Sequence, residues 1–170
     1  MVSSQNKGRL ILSPVKMDQK INRMAYQLLE ENYEKEEILL AGIQGPGNQL
    51  AHLVNEKLKA FSDKKVTVHS LQIDKENPQS SPVQTEPELN PENKTVVLMD
   101  DVLNTGRTMF HSLSPFQSVR VEKLQLMVLV FRSHNSFPLI PDFTGLSLAT
   151  TLRQHIHVEF EGEEKGVYLY

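Results

Sequence analysis

The stretch Val96-Val97-Leu98-Met99-Asp100-Asp101-Val102-Leu103-Asn104-Thr105-Gly106-Arg107-Thr108-Met109 decides how this chain is read. It opens as a short apolar run of the kind that forms a strand buried on both faces. Two adjacent carboxylates, Asp100 and Asp101, end that run, and a small polar turn with one glycine follows at once. From Arg107 onward the residues read as a helix start. A parallel strand that runs into acids and then into a helix N-terminus is a place where α/β proteins bind anions. The carboxylates suit a ribose hydroxyl or a metal ion, while N–H groups of the turn and helix start suit a phosphate. Gly106 lets the backbone come close to an anion. The competing reading is that one of the acids only caps a helix.

Working outward, the rest of the chain reads as alternating strands and helices. Arg9 to Leu12 is expected as an edge strand or an anchored arm, closed by Ser13-Pro14. Met17 to Tyr33 carries Ile21, Met24, Ala25, Leu28 and Leu29 at helical spacing, with Asp18 as the expected N-cap. Ile38 to Ile43 is an unbroken apolar run, hence a buried strand, and Gln44-Gly45-Pro46-Gly47 breaks it. A second helix is expected from about Asn48 to Phe61, and Val66 to Ile73 alternates as a strand does. From Asp74 to Lys94 the chain carries Pro78, Pro82, Pro87 and Pro91 with little to bury, and a loop of about twenty residues reads as a functional flap. Lys123 to Phe131 is a further strand, Ser133 to Thr151 reads as irregular, and His155–Phe160 with Gly166–Tyr170 form a hairpin. The whole implies one α/β domain over residues 1–170 with a mainly parallel sheet flanked by helices.

Composition narrows the function. At 170 residues with 39% hydrophobic and 23% charged residues, the chain has enough to bury a sizeable core. A net charge of −3 argues against a protein that lives on the nucleic-acid backbone. The absence of cysteine excludes disulfides, zinc–thiolate centres and thiol nucleophiles. No apolar run reaches the length of a membrane span, and the polar start Ser3-Ser4-Gln5-Asn6-Lys7 lacks a signal-peptide core, so a cytoplasmic protein without a membrane partner is expected.

The stretch from Val97 to Thr108 resembles the phosphoribosyl-pyrophosphate (PRPP) signature of type I phosphoribosyltransferases. That signature is a hydrophobic run, two acids, three freer residues, then Thr-Gly-x-Thr, here filled by Asp100, Asp101, Thr105, Gly106 and Thr108. Over about residues 18 to 160 the chain is similar to the bifunctional pyrimidine-operon attenuator and uracil phosphoribosyltransferase branch. The resemblance includes Gly42-Ile43 through Leu50-Ala51, Val130-Phe131-Arg132-Ser133-His134, Phe137-Pro138 and Asp142-Phe143 with Gly145. It implies the type I fold, with a flexible flap at about 74–94 and a small hood region. It also implies that Asp100 and Asp101 hold ribose, with Mg²⁺ bound to them indirectly or through the ribose. Val102, Leu103, Asn104, Thr105, Gly106, Arg107 and Thr108 complete the ribose and 5′-phosphate site.

The chain departs from that family on the side where pyrophosphate leaves. The loop that ordinarily carries a lysine and an arginine reads Gln44, Gly45, Pro46, Gly47, and Pro46 lacks even an N–H. A tight turn with no ligand is the alternative for this degenerate pyrophosphate loop. No arginine lies between Arg23 and Arg107, so Lys75 near the start of the flap and Lys94 at its far end are the lysines to consider there. Asn104 cannot take a proton near neutral pH and leans away from purine acceptors. Phe131 and Arg132 are base-side candidates, the first with a core role and the second with an exposed salt bridge as their alternatives. His155, His157 and Glu159 share a strand face that reads as solvated.

The expected activity is a phosphoribosyltransferase, a pentosyl (glycosyl) transferase of nucleotide metabolism. It binds PRPP or a nucleoside 5′-monophosphate with Mg²⁺ as cofactor and serves a pyrimidine-like, uracil-type base. The alternative is a non-catalytic nucleotide sensor of the same fold. The family resemblance implies a homo-oligomer, a dimer or larger, and admits RNA as a less favoured partner. No catalytic residue is assigned from the sequence.

Overall fold

The computed structural model describes residues 8–149 and 153–170. The polar start Ser3–Lys7 and Thr150–Thr151, at the end of the stretch read as irregular, lie outside the described residues.

Strand β1 (Arg9–Leu12) leads into helix α1 (Pro14–Glu31). Ser13, not Asp18, is its N-cap: the Ser13 side chain accepts from the Lys16 N–H at 3.4 Å, and Pro14 sits in the first turn, where a missing N–H costs nothing. Strand β2 (Glu37–Ile43) is followed by helix α2 (Pro46–Phe61), which starts two residues earlier than the apolar stripe suggests because Pro46 is likewise suited to a first turn. Strand β3 (Lys65–Gln72) precedes the flap, which contains a short strand, β4 (Gln84–Glu86). Strand β5 (Thr95–Leu103) and helix α3 (Arg107–His111) come next, then β6 (Lys123–Arg132) and β7 (Phe143–Leu148). The final hairpin is β8 (Ile156–Glu159) with β9 (Gly166–Leu169).

The central sheet has the order β4-β3-β2-β5-β6-β7, parallel throughout except for the antiparallel β4 at its edge. β7 corrects the expectation of irregular structure after Ser133: Phe143, Thr144, Leu146, Ser147 and Leu148 pair with β6. Gly145 is required there, since a side chain would meet the Leu129 carbonyl oxygen at 2.6 Å. β1, β9 and β8 form a separate antiparallel sheet, the small hood, in which β1 is the expected edge strand.

β2, β5 and β6 are buried on both faces, which is why they read as continuous apolar runs. One core lies between the sheet and α1 and α2, and it continues into the hood through Leu12, Ile156, Val158 and Val167. The other lies under α3 and the flap, where Ile43, Leu98, Met109 and Phe116 pack with Val83 and Leu89. Among the described residues no helix is long and apolar enough to cross a membrane.

Candidate functional site

β5 lies at the centre of the sheet, between β2 and β6, and delivers its acids to the carboxyl ends of the strands. The strand runs through both acids to Leu103 instead of ending at them. Asp100 is only 6% exposed, Asp101 partly so, and the Asp101 N–H donates to Asp100 Oδ1 at 3.0 Å. Burial first, and then the neighbouring Asp101 carboxylate, push the Asp100 carboxyl well above the ordinary carboxylate range. Lys75, with Nζ 4.0 Å from Asp100 Oδ1, pulls the other way. Neither acid is a helix cap, because the N-cap of α3 is Gly106. A buried carboxyl shifted this far, which no cap requires, makes Asp100 a candidate functional group.

Beyond the acids the chain turns sharply. Gly106 has φ 84° and ψ 0°, a left-handed conformation, and an added Cβ would lie 3.3 Å from Phe137 Cβ. Thr105 braces the turn twice: its Oγ1 accepts from the Arg107 N–H at 3.3 Å, and its carbonyl accepts from the N–H groups of Ser136 and Phe137 at 2.8 and 3.0 Å. Among the described residues, the N–H groups of Thr105 and Gly106 donate to no protein acceptor. A hollow of about 280 Å³ is lined by Asp100 and by residues 102–109, including Asn104, Thr105, Gly106, Arg107 and Thr108. The helix start expected here is real but spans only five residues, so its dipole is small. What the turn can offer an anion is therefore its local N–H groups, its hydroxyls and Arg107.

The loop Gln44–Gly47 is a structural turn. The Gln44 N–H donates to the Leu71 carbonyl at 2.8 Å, Gly45 has φ 84°, and Pro46 opens α2. Gly47 is buried against β5: a Cβ there would lie 2.7 Å from the Met99 carbonyl oxygen and 3.0 Å from Asp100 Oδ1. The two small residues thus serve backbone geometry and close approach, and the loop places no cation beside the acids.

The flap reaches the site at two points. Lys75 approaches Asp100, and the Arg107 guanidinium donates to Gln79 Oε1 at 3.0 Å. Lys94 does not take part; it pairs with Glu37 at 3.5 Å at the opposite end of the sheet. Of the base-side candidates, Phe131 packs in the second core beside Leu103, its partner in the ladder. Arg132 is 7% exposed and donates to Asn104 Oδ1 at 2.9 Å, so it is a buried side chain and not the exposed one weighed for it. This link between two strands has no local signature in the chain. His155 and His157 are exposed, as the solvated-face reading expects.

Among the described residues no three His, Asp or Glu side chains cluster tightly enough to cage a metal. Asp100 and Asp101 alone suit Mg²⁺, which keeps its waters and takes one or two carboxylates together with substrate oxygens.

Residues 11–164 match the phosphoribosyl transferase domain family. The bifunctional protein PyrR of Enterococcus faecalis is 33% identical over 159 residues, covering 89% of each chain. That of Fusobacterium nucleatum is 32% identical over 174 residues, covering 96% of this chain and 98% of its own. Among solved structures, the hypoxanthine phosphoribosyltransferase of Trypanosoma cruzi superposes with a TM-score of 0.78 over 96% of each chain at 10% identity, a likeness of fold. The acids, the Gly106 turn, the parallel sheet and these similarities agree: the chain belongs to the type I phosphoribosyltransferase family, on the branch of the bifunctional PyrR proteins.

Proposed function

We propose that the chain binds PRPP or a nucleoside 5′-monophosphate with Mg²⁺ at the end of β5 and transfers phosphoribosyl to or from a pyrimidine-like, uracil-type base. One observation carries this reading: the buried Asp100, with Asp101 next to it in the chain, and a left-handed glycine turn with unspent N–H groups meet at one hollow, which Asp100 and the turn line.

In this reading Asp100 and Asp101 accept hydrogen bonds from the ribose hydroxyls, and the turn from Thr105 to Thr108 donates to the 5′-phosphate. As the bond from ribose C1 to pyrophosphate breaks, C1 gains oxocarbenium character and the leaving group gains negative charge. Lys75 is the cation the flap brings to the acid pair. The acceptor nitrogen forms its bond to C1 from the opposite side, and the proton it carried passes to solvent or to the departing pyrophosphate. Mg²⁺ held by the acid pair and the substrate would supply further neutralisation of the pyrophosphate charge. The resemblance supports a single-domain, cytoplasmic homo-oligomer. It favours a small-molecule partner over RNA, for which an acid-leaning chain is poorly suited.

A second reading, a non-catalytic nucleotide sensor, is favoured by the cation-free loop packed under Gly47. Calorimetric titration with PRPP and Mg²⁺, followed by a pyrophosphate-release assay with uracil and a panel of other bases, separates the two. Binding with release supports the transferase, binding without release supports the sensor, and no binding sinks both.

A further inference from the structure

Arg132 ends β6 and reaches across to the turn after β5, where it donates to Asn104 Oδ1 at 2.9 Å. An arginine has only donors, so the atom facing it must be the amide oxygen. The orientation of the Asn104 side chain is thereby set, and its NH₂ group is left over. Asn104 lines the hollow, and among the described residues no protein acceptor takes that NH₂ group. The site thus contains a fixed pair of N–H donors with no structural duty, backed by a buried cation.

The sheet order says which part of a ligand these donors meet. β5 is flanked by β2 on one side and β6 on the other. On the function proposed above, pyrophosphate lies on the β2 side, beside Gln44–Gly47. The acceptor attacks C1 opposite the leaving group, and Asn104 is drawn to that other side by its bond to β6.

We propose that Asn104 is a specificity-determining residue that presents N–H donors to the nucleobase, and that Arg132 is the positioning residue that keeps those donors turned inward. The pair selects a base with a lone-pair acceptor, such as a ring carbonyl oxygen, beside the nitrogen that bonds to ribose. It takes no proton from that base, since an amide is not basic near neutral pH.

This inference rests on the ribose-phosphate reading, and one experiment separates them. Calorimetry on the full chain yields the dissociation constants of ribose 5-phosphate and of uridine 5′-monophosphate, whose ratio isolates the contribution of the base. Asn104→Leu should cut this ratio about tenfold, the worth of one good hydrogen bond, with any change in ribose 5-phosphate affinity divided out. Asn104→Asp still satisfies Arg132 but sets acceptor against acceptor, so its ratio should fall further. Arg132→Met should lower the ratio by freeing the amide to flip, and Arg132→Lys should restore part of it. Asn104 is a loop residue, so the Leu variant decides the matter even if a variant of buried Arg132 fails to fold. An unchanged ratio in Asn104→Leu overturns the inference while the cradle stands. Failure of ribose 5-phosphate to bind the wild-type chain overturns the cradle and this inference together.

Discussion

The two ends of the candidate site are built on different principles. On the ribose-phosphate end, polar groups are buried or left unspent: Asp100 sits nearly out of solvent, and the turn offers N–H groups and hydroxyls around a left-handed glycine. On the pyrophosphate end, Gln44–Gly47 is spent on backbone geometry, and Gly47 exists to let α2 pack onto β5. Stability and binding diverge accordingly. The first end keeps a carboxyl in a place where its charge is costly, as groups that act on a ligand are kept. The second end is spent on packing, and the flap's cation, Lys75, stands beside Asp100 at the first.

The largest change should come from removing the buried charge. An acid that titrates higher in the folded chain than in the unfolded one binds its proton more tightly when folded. Its contribution is then most favourable at low pH and declines as pH rises through the folded-state value. Asp100→Asn should therefore melt above wild type at about pH 8, with the gap closing as pH falls below about 4, where the unfolded state of the wild type is protonated as well. A gap independent of pH would show that Asp100 is not the group whose burial opposes folding.

Next in size is Gly47→Ala. The new methyl would press on the Met99 carbonyl and Asp100, so a loss of roughly 1–3 kcal/mol in denaturant unfolding is expected. Ribose 5-phosphate binding should weaken with it, because the acid is displaced. Gly106→Ala should cost about 1–2 kcal/mol through its left-handed backbone and its approach to Phe137. Equal stability losses with intact binding in both variants would break the proposed link between these glycines and the cradle.

The smallest effect tests the other end directly. Gln44→Lys returns a cation to the loop. It should tighten PRPP binding about tenfold while leaving ribose 5-phosphate unaffected, the size of one charge-assisted hydrogen bond. Equal gains for both ligands would mean that the loop does not face pyrophosphate.

Much of this was legible in the chain, for identifiable reasons. Strands buried on both faces, such as Ile38–Ile43 and Val96–Met99, announce themselves as apolar runs, and the acid–turn order after them is local. β7 was hidden because Pro141 and Gly145 read as breakers, whereas Gly145 marks a strand pressed close to Leu129. α3 is brief because the chain passes into the 3₁₀ turn Ser114–Phe116 soon after it. The Arg132–Asn104 bond and the role of Gly47 are contacts between elements distant in the chain, which no window of sequence displays.

The most direct test of the account is calorimetric titration of ribose 5-phosphate into the wild-type chain and into the double variant Asp100→Asn with Asp101→Asn. The cradle predicts one-to-one binding by the wild type and its loss in the double variant, with the fold retained by thermal melting. Undiminished binding by the double variant would contradict it.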